Sequence, residues 1–106
     1  MKSYRLEEFV KGWVVGNFEP SLFINETVEV GVKNFQAGEY EASHKQLIAT
    51  EITIVTDGEI LLGGIAFSKG EIALIPPGEF ADFLSITDST LVVLKFPSIP
   101  DDKIVE

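Results

Sequence analysis

The hydrophobic positions of this chain lie in short segments, not along a helical stripe. From Thr27 onwards, segments rich in Val, Ile, Thr and Phe alternate with clusters of Gly, Pro, Asp and Ser. Within Val28–Lys33 a valine occupies every second position, so the three valines share one face of a strand. Short strands with turn residues at close intervals predict an all-β domain.

Glycine-containing pairs divide the central part of the chain into further strands. Glu51–Thr56 is followed by Asp57-Gly58, a pair suited to a tight hairpin turn. We therefore expect Glu59–Leu62 to pair back on Glu51–Thr56. Gly63-Gly64 predicts a second reversal, and a short strand at Ile65–Phe67 should follow it.

Two later runs, Ile72–Ile75 and Leu91–Phe96, are almost continuously apolar. Such runs are typical of strands that are covered on both faces. Helix is scarce: Leu6–Val10 is the best segment, but it is too short to be stable alone and is equally compatible with an extended arm.

The overall plan is one domain, because 106 residues are too few for two ordinary cores. Residues 27–96 should form the barrel, preceded by an arm and strands in residues 1–26. Pro97, Pro100 and the charged residues after them predict a C-terminal tail over residues 97–106.

Composition narrows the possible functions. The chain has 45% hydrophobic residues, no cysteine, and 17 acidic against 8 basic residues, for a formal charge of −9. That charge repels nucleic acid and anionic lipid, so neither is an expected partner. No apolar run is long enough to span a bilayer and no signal sequence is visible, so we expect a cytoplasmic protein.

A series of spaced landmarks runs through the first half of the predicted barrel. It reads Gly38, five residues, His44, one residue, Gln46, four residues, Glu51, six residues and Gly58. This resembles the first motif of the cupin superfamily, which has glycine, histidine, histidine, glutamate and glycine at these spacings. Gln46 stands where that family has its second histidine.

A second series resembles the second cupin motif. It reads Gly70, five residues, Pro76, one residue, Gly78, two residues, Ala81, three residues and Ser85. The turn residues of the family are present, but Ala81 replaces the histidine ligand and Ser85 the asparagine. The resemblance implies a small single-domain cupin of the double-stranded β-helix (jelly-roll, RmlC-like) fold, with a degenerate metal site.

The first motif has a geometric reason that is independent of the family. Residues i and i+2 of a strand point to one side, so His44 and Gln46 should face the same space. A turn within Leu47–Thr50 could bring Glu51 beside them on an adjacent strand. These three are candidate ligands for a weakly bound divalent metal ion, although an amide is a poor ligand and no metal at all is the alternative.

Other roles for the same residues remain open. Gln46 could act only through hydrogen bonds, and Glu51 could be a general acid or base, or a carboxylate bonded to His44. Phe83 shares the face of Ala81 and is a further candidate for ligand binding, whereas Asp82 should point to the opposite face.

Three functions are compatible with these features. The first is non-catalytic binding of a small polar ligand, such as a sugar or metabolite, in the barrel mouth. The second is a metal-dependent cupin enzyme of the isomerase or dioxygenase type, with an incomplete His/Gln/Glu ligand set. The third is a purely structural role, and catalytic activity is left undecided.

A homodimer is also expected. The segment Trp13–Ile24 contains seven large apolar residues, more than the interior of a small barrel readily takes. Surplus apolar surface favours contact with a second copy of the chain.

Overall fold

The protein consists of two five-stranded antiparallel sheets that face each other. The computed structural model describes all residues from 1 to 106. The all-β prediction is confirmed, and the jelly-roll arrangement follows from the way the chain crosses repeatedly between the sheets. The strands are β1 (Trp13–Val15), β2 (Glu29–Phe35), β3 (Tyr40–Gln46), β4 (Thr50–Asp57), β5 (Glu59–Leu62), β6 (Ile65–Ser68), β7 (Ile72–Ile75), β8 (Ala81–Ser85), β9 (Ser89–Phe96) and β10 (Lys103–Val105).

The first sheet has the strand order β1-β2-β9-β4-β7, and the second has the order β10-β3-β8-β5-β6. The hairpin predicted at Gly63-Gly64 is present, with Leu62 opposite Ile65. The pairing predicted between Glu51–Thr56 and Glu59–Leu62 is wrong. Strand β5 pairs with β6 and β8 in the second sheet, whereas β4 lies in the first.

Gly58 lies where the chain crosses from the first sheet to the second. It has a φ of 83°, and a Cβ at this position would lie 2.2 Å from the backbone oxygen of Asp88. The glycine is therefore required by a close approach of two backbone segments where the chain passes from one sheet to the other. The sequence pair Asp-Gly permits such a crossing as well as a hairpin.

The apolar core lies at one end of the space between the sheets. Val55, Ile60, Phe83, Leu91 and Val93 form one buried cluster. Phe35 packs against Phe83 with ring centroids 4.5 Å apart. Aliphatic and aromatic side chains thus close this end of the barrel, and polar side chains occupy the remaining interior.

The N-terminal segment, for which a short helix at Leu6–Val10 and an extended arm were both open, forms two single turns of 3₁₀-helix, at Leu6–Glu8 and Val10–Gly12. Phe9 between them has an extended backbone. No helix in the structure has the length and apolar character needed to cross a membrane.

The predicted C-terminal tail is only partly correct, because Lys103–Val105 pairs with β3 as an edge strand of the second sheet. Asp102 holds this end of the chain in place. Its two carboxylate oxygens accept hydrogen bonds of 2.9 Å from the backbone N–H groups of Ile48 and Ala49. The Leu47 N–H donates to the backbone oxygen of Asp102. The prolines and charged residues predicted an exposed tail, whereas the Asp102 carboxylate is buried and organises the turn between β3 and β4.

The outer face of the first sheet is aliphatic. Two cross-strand rows cover it: Val30, Leu94, Ile52 and Leu74, and beside them Val32, Val92, Ile54 and Ile72. The expectation that Ile72–Ile75 is covered on both faces is wrong for the single chain. Strand β7 is an edge strand, and Ile72 and Leu74 are 59% and 68% exposed.

Asp102→Ala should lower the free energy of unfolding by about 2 kcal/mol, because two backbone donors at the β3–β4 turn lose their charged acceptor. Chemical denaturation measures this loss. Asp57→Ala, which removes an exposed aspartate with no such hydrogen bonds, is the control and should change stability little. Equal effects of the two substitutions would contradict the role assigned to Asp102.

We propose that the aliphatic outer face binds a second copy of this chain. None of its eight side chains is charged, so two copies can bury it without burying a charge, whereas the acidic remainder of the surface repels a like-charged copy. In the segment Trp13–Ile24, Trp13 turns into the barrel, whereas Leu22 and Ile24 are 49% and 55% exposed. Phe23 is 68% exposed.

Leu74→Glu should therefore weaken the dimer by at least about tenfold, because it places a charge in the apolar contact. Sedimentation velocity at tens of micromolar measures the association. Ile65→Glu on the exposed face of β6 is the matched control, and Phe23→Ser tests the N-terminal segment. A parent protein that is monomeric at this concentration would contradict the proposal.

Candidate functional site

The polar part of the interior is a cavity of about 280 Å³ between the two sheets. Its walls come from both sheets and from the residues that precede β1. Charged, aromatic and aliphatic side chains all line it, which is the mixed chemistry expected of a small-molecule site. The volume is near the lower end of the range for such sites.

The four residues singled out from the sequence all line this cavity: His44, Gln46, Glu51 and Phe83. Their relative placement differs from the expectation in one respect. Glu51 is not on a strand adjacent to His44 and Gln46, because β3 and β4 belong to opposite sheets. Glu51 thus approaches the cavity from the opposite wall. The short β3–β4 turn crosses between sheets, a possibility that spacing alone does not distinguish from a hairpin.

Gln46 is the most constrained of these residues. Its side chain is 5% exposed, and its Nε2 atom is buried without a hydrogen-bond partner. Its backbone is held in place, since its carbonyl oxygen accepts a bond of 2.8 Å from the N–H of Gly78. A buried amide donor without a partner is rare and unfavourable. The cavity beside it can hold an acceptor that would satisfy it.

His44 and Glu51 have protein partners of their own. His44 is half-buried, and its Nδ1 lies 3.1 Å from the backbone oxygen of Ala42. The buried Glu51 carboxylate accepts a bond of 3.2 Å from the Thr53 hydroxyl. The suggested bond between Glu51 and His44 is not formed. Phe83 forms the apolar floor of the cavity and contacts Phe35.

The residues do not fit the metal centre that the motif resemblance implies. His44 lies directly opposite Ala81 in the β3–β8 pair. Ala81 stands where the motif has its last histidine, so the side chain next to His44 is a methyl group and not a metal ligand. No group of three or more His, Cys, Asp or Glu side chains in the chain is arranged to hold a metal ion. Asp82 does not replace the lost ligand, because its carboxylate accepts a bond from the Tyr40 hydroxyl outside the cavity.

Trp13, Lys33 and Lys95 form a part of the site that the sequence analysis did not identify. The Lys33 and Lys95 Nζ atoms lie 5.0 Å and 4.9 Å from the centre of the Trp13 ring, within cation–π range. The ring lies over Gly31, where any Cβ would approach within 2.7 Å of it. The sequence contained one indication of this part of the site. Glu29, Gly31 and Lys33 alternate with the valines of β2 and therefore share the opposite face of that strand.

The cavity is much richer in positive charge than the rest of the molecule. It is lined by five of the chain's eight basic side chains but only three of its seventeen acidic ones. The basic residues are Lys11, Lys33, Lys45, Lys95 and Lys103, and the acidic ones are Glu29, Glu41 and Glu51. A strongly acidic protein therefore encloses a cavity in which cations are in excess.

Burial lowers the pKa of Lys33, with smaller contributions from the positive charges of Lys11, Lys95 and Lys103, while Glu41 opposes the shift. The charged form of Lys33 is thus less favourable in the folded protein than in the unfolded chain. Between this lowered pKa and the ordinary value, the unfolded chain binds more protons, so this group's contribution to stability rises with pH. The half-buried Lys33 ammonium group at neutral pH therefore opposes folding.

Comparison with known proteins identifies the fold. No protein-family model matches the sequence, and no curated protein matches it in a sequence comparison. Among solved structures, a conserved protein with a double-stranded β-helix domain from Klebsiella pneumoniae superposes with a TM-score of 0.76 over 98% of this chain and 90% of that one, at 18% identity. This protein has the cupin fold.

Two further structures support the same fold. KdgF from Halomonas sp. matches with a TM-score of 0.66 and 20% identity, over 73% of this chain and 74% of its own. The DMSP lyase DddQ from Ruegeria pomeroyi matches with a TM-score of 0.70 and 20% identity, over 83% of this chain and 47% of its own. At such identities the likeness concerns the cupin barrel and does not extend to its chemistry.

The double substitution Gln46→His and Ala81→His should raise the affinity of this protein for nickel or zinc by at least about tenfold, since it adds two imidazoles beside His44. Calorimetric titration of tag-free protein measures the change. The same double variant with His44→Ala is the control and should lose most of the gain. No gain in the double variant would show that the added imidazoles cannot converge, and any metal binding by the parent stays a prediction.

Proposed function

We propose that this protein is a non-catalytic cupin that binds a small polar molecule inside the barrel. The observation that carries the proposal is the buried Gln46 Nε2 atom, which has no partner in the protein and borders the cavity. Proteins rarely leave a buried donor unpaired, because the unmade hydrogen bond costs about 1–3 kcal/mol. A ligand acceptor removes that cost when it enters the cavity.

The other walls supply the remaining features of a polar-ligand site. The Glu51 carboxylate offers an acceptor for a ligand hydroxyl. The Lys33 and Lys95 ammonium groups, which lie over the Trp13 ring, add donors. This combination of a few polar groups with aromatic and aliphatic walls suits a sugar-like or hydroxylated metabolite.

The alternative function, a metal-dependent isomerase or dioxygenase, is less well supported. It needs a set of converging ligands, and the Gln46 amide and Ala81 methyl stand at two of the positions where the motif has histidine. The solved cupin structures that this chain resembles include enzymes, such as an oxalate oxidase and a DMSP lyase. Their activities belong to those proteins and are not carried by the shared barrel.

Gln46→Leu tests the proposal through two opposite effects. It should leave the protein as stable as the parent, or more stable by about 1 kcal/mol, because it replaces an unpaired amide with an apolar group of similar size. It should also weaken ligand binding at least about tenfold. Thermal unfolding and a metabolite screen by ligand-observed NMR measure the two effects.

Gln36→Leu is the matched control, because Gln36 is exposed at the end of β2 and lies outside the cavity. It should leave both ligand binding and stability near the parental values. Marked destabilisation by Gln46→Leu, with ligand binding retained, would indicate a structural role for the amide and contradict the proposal.

A further inference from the structure

We propose that the cavity selects a small hydroxylated anion, with a carboxylate or phosphate group held by the ammonium groups of Lys33 and Lys95. This inference rests on the proposed function and names the ligand class for the same site. It is carried by the distribution of charge, the geometry around Trp13 and the unpaired Gln46 donor.

The first argument is the concentration of cations. The Lys45 ammonium group lies over the Phe80 ring, outside the cavity. The remaining basic residues of the lining still outnumber the acidic ones by four to three, although acidic residues outnumber basic ones by seventeen to eight in the whole chain. In an ordinary solvent-exposed surface of this protein, the ratio of acidic to basic residues should be close to that of the whole chain. An excess of cations in one enclosed space creates a local positive potential that favours an anion.

The second argument is how the two central lysines are held. In the register of the first sheet, Lys95 lies between Glu29 and Glu51. Its ammonium group nevertheless lies near the Trp13 ring, as does that of Lys33. The Lys33 ammonium group also donates a hydrogen bond of 2.6 Å to the backbone oxygen of Lys11. An ammonium group has three N–H donors and the aromatic face uses none of them, so both groups keep donors available for a ligand.

The third argument is the neutral donor beside them. Gln46 Nε2 is buried and without a partner in the same cavity, so it can donate to an anionic oxygen together with the ammonium groups. Hydrogen bonds from charged donors to an anion are stronger than neutral ones. Two lysines and one amide thus provide several donors for one acidic group.

The remaining carboxylates define the rest of the ligand. Glu29, Glu41 and Glu51 also line the cavity, and ionised carboxylates can only accept hydrogen bonds. A ligand made of an acidic group alone would meet repulsion from them. A ligand that also carries hydroxyl groups can donate to them, and the volume of about 280 Å³ limits it to a small molecule.

Three probes with the same three-carbon skeleton separate the possibilities: glycerate, glycerol 3-phosphate and glycerol. Trp13 is the only tryptophan of the chain, so its fluorescence reports directly on the cavity. We expect at least one anion to change this fluorescence saturably, with an affinity at least about tenfold above that of glycerol and decreasing with added salt. The stronger of the two anions identifies the acidic group as carboxylate or phosphate.

Variants assign the effect to the lysines. Lys33→Met and Lys95→Met should each weaken binding of the preferred anion by about tenfold or more, as measured by calorimetry, which does not depend on the tryptophan signal. Lys69→Met is the matched control, because Lys69 lies in an exposed turn away from the cavity. It should leave the affinity unchanged.

Folding of each variant is verified from its amide NMR spectrum. If a Lys→Met variant does not fold, the salt dependence and the comparison of anion with glycerol in the parent protein still decide the proposal. Glycerol binding as tightly as both anions would overturn the anion inference while leaving the polar-ligand function intact. Binding of none of the three, with Gln46→Leu also without effect in the metabolite screen, would overturn both.

Discussion

Strand β9 lies between β2 and β4, and its register with both strands decides which side chains enter the barrel. It pairs with each of them over almost its whole length. In this register Leu91, Val93 and Lys95 point inward, while Val92 and Leu94 point outward. Since side chains alternate along a strand, a slip by one residue would exchange the two sets. The lysine would then leave the cavity, and the aliphatic outer face would turn inward.

The same register gives the barrel two unlike halves. At one end, Leu91 joins Val55, Ile60 and Phe83 in the apolar core. Towards the other end, Lys95 faces the cavity with Glu29 and Glu51 on its neighbouring strands. The apolar half provides the free energy of folding, whereas the polar half contains groups that oppose it. Among these groups are the unpaired Gln46 amide and the Lys33 ammonium, whose pKa is lowered mainly by burial. Both of these residues line the one cavity.

Outside the barrel, the first sheet presents aliphatic side chains where a solvent-facing sheet would ordinarily present polar ones. This inversion is linked to the cavity, because the charged residues of β2 are those that point inward. Glu29 and Lys33 line the cavity, while Val30 and Val32 lie on the outer face. The two faces therefore arise from a single alternation. A cavity with polar walls inside and an aliphatic surface outside are two results of the same pattern in the sequence.

The sequence by itself determined the strand content, most turns and the cupin landmarks. Glycine readily adopts the positive φ values that turns need, and Gly38 and Gly78 have such values. The positions of the glycines therefore predicted where the chain reverses. The sequence also indicated that His44, Gln46 and Glu51 belong together, because their positions match a known motif, and that Phe83 joins them, because it shares the face of Ala81. All four line one cavity.

Only the tertiary structure decided which strands are neighbours and which other residues complete the site. Local spacing predicted β4 to pair with β5, but the chain crosses between sheets at Gly58, and a tight turn and a crossing have the same local sequence. Trp13 and Lys33 belong to the same first-sheet wall, and Asp102 bonds to a turn more than fifty residues earlier. Such contacts depend on pairing between distant segments, for which neither periodicity nor spacing contains a signal, because both describe only near neighbours in the chain.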